Sequence, residues 1–140
     1  MSRLRYYNIN KTIIYYNSDK ELYIKSSYDR NSIMSLTNEH EGFMWYFSKK
    51  PLLDKSLVGK LKKRIDNNFA KIQIPSLPGY SVNAYNPICI NEKYLILAIN
   101  EYLNVSKKND FRFHGDFSVG NLMYSKNECY IIDWEYSIID

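Results

Sequence analysis

Five polar residues late in the 140-residue chain stand against apolar runs in a pattern able to do chemistry: His114, Asp116, Asn121, Asp133 and Glu135. Asp116 and Asn121 have the spacing Asp-x-x-x-x-Asn, with His114 two residues before the Asp. Asp133 follows at the end of the apolar run Tyr130-Ile131-Ile132, where a strand would deliver a carboxylate. Phosphoryl transfer needs one carboxylate near the incoming hydroxyl and oxygen ligands for a cation bridging the phosphates, because positioning and charge neutralisation supply most of the catalysis. Magnesium favours hard oxygen ligands, which an Asn carbonyl and an Asp carboxylate provide. A loop holding Asp116 and Asn121 between strands can aim both at one phosphate cluster. The plainer alternative is a strand-turn-strand with ordinary polar turn residues.

The motifs resemble those of the aminoglycoside phosphotransferase and choline kinase family. The Asp116–Asn121 spacing is that of a kinase catalytic loop, His114-Gly115-Asp116 stands in place of His-Arg-Asp, and Ile132-Asp133-Trp134-Glu135 in place of Asp-Phe-Gly. The resemblance implies an α+β, protein-kinase-like fold. Its N-lobe, residues 1–87, would carry a small antiparallel sheet and the nucleotide, and residues 88–140 a truncated, mostly helical C-lobe with the catalytic loop. It implies Asp116 as catalytic base, His114 as a brace for the loop, and Asn121 and Asp133 as metal ligands. ATP and Mg²⁺ would be the cofactors, and a hydroxyl of a small molecule (aminoglycoside, choline or sugar) the acceptor.

Upstream elements must present the nucleotide side of such a site. Thr12–Tyr16 and Leu22–Ser26 read as strands rich in β-branched and aromatic residues, joined by the turn residues Asn17-Ser18-Asp19-Lys20-Glu21. A further short strand is expected over Leu4–Ile9. The second hairpin strand carries Lys25, and kinase folds place their phosphate-pairing lysine on such a strand. Leu36 to about Ser48 reads as a helix capped by Asn31 or Thr37. At about 100° per residue, Phe43, Phe47 and His40 fall within roughly 40° of Leu36, Glu39 about 60° to one side and Glu41 about 140° away. Glu39 is therefore the expected partner of Lys25, with Glu41 the alternative if the helix starts late. Two surface glutamates are the plain reading.

Leu53, Leu57, Leu61 and Ile65 recur every four residues and predict an amphipathic helix from Leu52 to about Asn67. The densest basic run, Lys60–Arg64, would be its solvated face. Phe69–Ile74 and Ser81–Tyr85 read as strands that join the first hairpin in one sheet. Asn86-Pro87 marks a break, and by the resemblance residues Asn83 to Ile88 would meet an adenine edge. Asn91 to about Val105 predicts a strongly apolar helix, capped by Asn91 and buried in the second lobe.

Composition sets the bounds. Hydrophobic residues make up 45% and aromatic residues 16% of the chain, a globular rather than a disordered balance. The net charge of +4 is mildly basic, and no nucleic-acid motif accompanies the basic run, so no nucleic-acid partner is expected. Cys89 and Cys129 lack metal-ligand spacing and fit reduced thiols in a cytoplasmic protein. No apolar stretch reaches transmembrane or signal-peptide length. Two features depart from the family: no glycine-rich loop precedes Lys25, and the sequence stops five residues after Glu135, where the family continues into a helical region forming much of the acceptor pocket. Three options follow. The chain is a minimal enzyme, an inactive remnant or pseudoenzyme that binds nucleotide or a partner protein, or one piece of a homo-oligomeric or split assembly in which another chain covers the truncated lobe.

Overall fold

A computed structural model describes residues 2–7, 11–50, 53, 55–81, 92–106, 111–125 and 128–139 of the chain. They form an α+β protein of two compact units, Met1–Ser76 and Leu77–Asp140. The expected division after residue 87 lies in 82–91, outside the described residues, as do the proposed adenine-edge segment and the cap Asn91.

The first unit is built on a five-stranded antiparallel sheet. Its strands are β1 (Ser2–Tyr7), β2 (Thr12–Asn17), β3 (Leu22–Ser27), β4 (Lys62–Ile65) and β5 (Ala70–Pro75), in the spatial order β1-β2-β3-β5-β4. The β2–β3 turn closes through Asn17 as its residue type predicts, with Asn17 Oδ1 accepting from the Lys20 amide at 3.1 Å, while the left-handed position, φ 52°, falls on Glu21, a residue type that seldom adopts it. Helix α1 (Arg30–Ser48) lies against β3, β4 and β5. It buries Ile33, Leu36, Phe43, Tyr46 and Phe47, while the sheet buries Ala70, Ile72 and Ile74.

That helix starts six residues before the expected Leu36. Its N-cap is Asp29, whose carboxylate accepts from the Ser32 amide at 3.2 Å. Asp29 is itself positioned by Ser27, whose Oγ accepts the Asp29 amide and donates to the Lys11 carbonyl. Thr37, offered as a cap, is inside the helix and donates to the Ile33 carbonyl. A carboxylate free to reach N–H groups that have no partner inside the helix settles the boundary.

The helix expected over Leu52–Asn67 is not what forms. Among the described residues of this stretch only Lys55–Gly59 (α2) is helical, and Lys62–Ile65 is the edge strand β4, paired with β5 in the register Lys62↔Gln73, Lys63↔Ile72, Arg64↔Lys71 and Ile65↔Ala70. α2 ends at Gly59, Leu61 is buried, and Gln73 Nε2 ties the Lys60 carbonyl to the sheet at 2.8 Å. An edge strand tolerates a run of charges that a central one would not.

The second unit holds helix α3 (Glu92–Val105) and two small sheets. One sheet orders β6 (Tyr80–Ser81), β8 (Leu122–Ser125) and β9 (Glu128–Ile131) as β6-β8-β9, and the other pairs β7 (Arg112–Phe113) with β10 (Ile138–Ile139). Of the strand expected at Ser81–Tyr85 only Ser81 is among the described residues, and it belongs to β6, which pairs with β8 rather than with the first sheet. Gly79 redirects the chain there: it has φ +106°, and a Cβ would overlap the Tyr124 carbonyl.

Helix α3 packs on β9 but is less buried than its composition suggests. Ala98, Glu101 and Val105 are covered, while Leu95, Ile96, Ile99 and Leu103 are exposed. A helix apolar all round can bury only the side that meets a neighbour. No helix among the described residues is long and apolar enough to cross a membrane.

Candidate functional site

In the first unit, Lys25 and Glu39 meet. Lys25 sits on β3, held on one side by β2 opposite Ile14 and on the other by β5 opposite Ile72. Its Nζ lies 2.6 Å from Glu39 Oε1, and the side chains are 17% and 1% exposed. Glu41, the alternative, is exposed. The helical angle that favoured Glu39 survives the earlier helix start, because the buried stripe through Leu36 and Phe43 is unchanged. A pair so removed from water must be matched in charge and geometry, since either ion alone would be strongly unfavourable.

The second unit brings together the other candidates. The chain enters through β7, whose partner β10 follows the Asp133 segment. Arg112 Nη1 donates to Ser137 Oγ at 2.9 Å, and the Ser137 amide donates to the Trp134 carbonyl. His114, fully buried, is the hub. Its Nδ1 accepts from the Asp116 amide at 3.1 Å, so the ring proton resides on Nε2, which donates to the Ile132 carbonyl at 2.7 Å. One imidazole thus ties the loop carrying Asp116 to the residue before Asp133. The ring also meets the buried Trp134 edge-on, with centroids 4.7 Å apart. Burial lowers the imidazole pKa below the ordinary 6.5, outweighing the opposing influence of the Ile132 hydrogen bond and the Asp133 and Asp116 charges.

Asn121 closes the loop. It ends a single 3-10 turn, Val119–Asn121, and its side-chain nitrogen donates to both the Asp116 carbonyl and Asp116 Oδ2, at 2.9 and 3.1 Å. Its backbone carbonyl accepts from the Ile132 amide at 2.9 Å. With the amide nitrogen committed to Asp116, Oδ1 is the atom left to meet a cation. Asp116 itself is exposed and Asp133 half-buried. Asp133 takes φ 63°, a left-handed conformation that Asp tolerates better than most residues. Glu135 is half-buried on the same segment.

Residue types and spacing did not reveal Gly115, Tyr102 or the Arg112–Ser137 pair. Gly115 has φ +86°, and a Cβ would overlap the Tyr136 carbonyl; the glycine in His114-Gly115-Asp116 was the available signal. Tyr102, from α3, accepts the His114 amide on its hydroxyl at 2.7 Å. Nothing local to Tyr102, Arg112 or Ser137 announces a contact made so far along the chain.

No protein-family model matches the chain, and no curated protein matches it.

Proposed function

We propose that this chain is an ATP- and Mg²⁺-dependent phosphotransferase of the aminoglycoside phosphotransferase and choline kinase type, moving a γ-phosphoryl group to a hydroxyl of a small molecule. The observation that carries this reading is the His114 bracket, in which one buried neutral imidazole holds both the Asp116–Asn121 loop and the Ile132–Asp133 segment. Ordinary polar turns have no need of a fully buried hub. The antiparallel sheet with α1 on one face also suits the small lobe of a protein-kinase-like fold.

The donor set fits a hard cation. Asn121 Oδ1 and the Asp133 carboxylate are oxygen ligands of the kind Mg²⁺ accepts. When bound, the metal nucleotide supplies a γ-phosphoryl group whose negative charge is partly neutralised. Asp116 orients the acceptor hydroxyl and takes its proton; its backbone is fixed by His114 and its carboxylate by Asn121. Lys25, held straight by Glu39, is assigned to the α/β-phosphates. The acceptor class follows from the family resemblance alone.

One sequence feature favours a second reading, an inactive relative that binds nucleotide or a partner protein. The first glycine in the sequence is Gly42, so the β2–β3 turn before Lys25 contains no glycine to give the unencumbered backbone amides that cradle phosphates. ADP release measured with ATP, Mg²⁺ and a panel of aminoglycosides, choline and sugars tests the first reading. Asp116→Ala and Asp133→Ala should each abolish turnover while leaving the unfolding transition in place. Turnover surviving in either variant refutes the assignment. Thermal stabilisation by Mg-ATP without transfer to any acceptor supports the second reading instead.

A further inference from the structure

Most of the basic run assigned from sequence to a solvated helix face, Lys62, Lys63 and Arg64, lies on the strand β4, and that changes what it can do. Charge is unevenly divided along the chain: residues 1–76 carry fourteen Lys and Arg against seven Asp and Glu, and residues 77–140 carry five against eight. Within the first unit the cations are ordered by the sheet. Alternation along β4 and β5 puts Lys62, Arg64 and Lys71 on the face opposite α1, with Arg64 directly across from Lys71. All three side chains are exposed, and no ion pair among the described residues uses them. Like charges directly opposed across strands are unfavourable, so the sheet maintains a repulsion that an anion would relieve.

Beside these cations is an aromatic pair. Tyr28 follows β3 and Phe69 precedes β5, and their rings lie 4.9 Å apart. Continued strand alternation puts Phe69 on the side of Lys71 and Tyr28 on the side of Ser26, which pairs with Lys71. Tyr28 is 77% exposed, yet its ring rests on Phe69 and not in solvent alone. Lys62 and Arg64, two residues apart on one strand, are roughly 7 Å from each other, a separation consecutive phosphates of an extended strand can match.

We infer that this face of β4 and β5 binds single-stranded nucleic acid, with Lys62, Arg64 and Lys71 on the phosphates and a base stacked on Tyr28. Cations alone would suit any polyanion. The exposed ring supported by a second aromatic favours bases, since every base has a face to stack while a lipid headgroup has none. Gln73, on the same face opposite Lys62, has its side-chain nitrogen tied to the Lys60 carbonyl, and the contacts assigned go to phosphates and a base face, so binding is expected to tolerate any sequence.

Fluorescence anisotropy with the full chain and labelled 12-nucleotide oligo(dT) and oligo(U) tests this. Three phosphate contacts predict that log K falls with log salt at a slope of about −2, and Lys71→Gln or Arg64→Gln should each flatten it by about 0.7. Tyr28→Ala should weaken binding by about 5- to 150-fold with the slope unchanged. Because the altered residues are exposed, an unfolding midpoint within a few degrees of wild type identifies a loss as binding rather than folding. Tyr28→Ala without effect, or association with phosphatidylserine vesicles in the absence of oligonucleotide binding, would overturn the inference.

Discussion

Mild acid should loosen the second unit through His114. The ring is buried and neutral, with its pKa lowered mainly by burial, so below about pH 6.5 the unfolded chain binds a proton that the folded ring does not. Stability is then fully present above that ordinary value and falls as pH drops through it. The loss continues until the folded ring itself titrates. Its size approaches about 1.4 kcal/mol for each pH unit in this window. A unit of residues 77–140 has of the order of 3–10 kcal/mol in total at typical per-residue stability, so one pH unit removes a measurable share. The effect has a geometric basis: a proton on Nδ1 would point at the Asp116 amide that now donates to it. Urea unfolding followed by tryptophan fluorescence between pH 7.5 and 5.0 measures it. Trp45→Phe leaves Trp134, which abuts His114, as the reporter of this unit. His40, also buried and with its pKa also lowered, is replaced by Gln so that its parallel contribution is absent. In that background His114→Gln keeps a donor and an acceptor but cannot titrate, and its midpoint should be flat from pH 6.5 to 5.0. A midpoint that is equally flat with His114 present, or one that falls as steeply in His114→Gln, would refute the reasoning.

Gly115→Ala forces a Cβ into the Tyr136 carbonyl at positive φ and should destabilise by about 2 kcal/mol or more, read from the urea midpoint. Lys25→Met should destabilise the first unit by about 3–5 kcal/mol by leaving a charge buried; adding Glu39→Leu should recover most of that, and a strictly additive double variant would show the two side chains to be uncoupled. Lys71→Glu replaces repulsion with attraction opposite Arg64 and should stabilise by roughly 0.2–1 kcal/mol, a gain that thermal melts at low salt would detect and 1 M salt would erase.

Local chemistry made some elements legible and distant contacts hid others. The β2–β3 hairpin could be read because Asn17 and its neighbours are turn residues, and Glu39 because helical geometry excludes Glu41 from the buried side. The start of α1 was displaced because Asp29 lies outside the apolar stripe that marks the helix. β4 was misread because Leu53, Leu57, Leu61 and Ile65 imitate a helical period, although three different local structures hold them. The charged strand between offers no apolar alternation to find. In α3, apolarity on every side carries no information about which side will be covered. Among the site residues, His114 was recognised, but its role as hub depends on Ile132 and Tyr102, neither of which is distinctive in sequence.

The bracket around His114 also fixes when the loop can form. Its ties join Arg112 to Ser137 and His114 to Ile132, 25 and 18 residues apart, whereas the Asp116–Asn121 bonds are local. Long-range contacts of this kind are made only after the intervening chain has been closed into place. On a chain emerging from the ribosome, Asp116 and Asn121 can find each other early, but the loop cannot be aimed until Ile132 and Ser137 have been synthesised and have docked. The placement of the Asp116–Asn121 loop is thus a late product of folding, and slowing β7–β10 pairing would delay the appearance of the site without altering any residue in it.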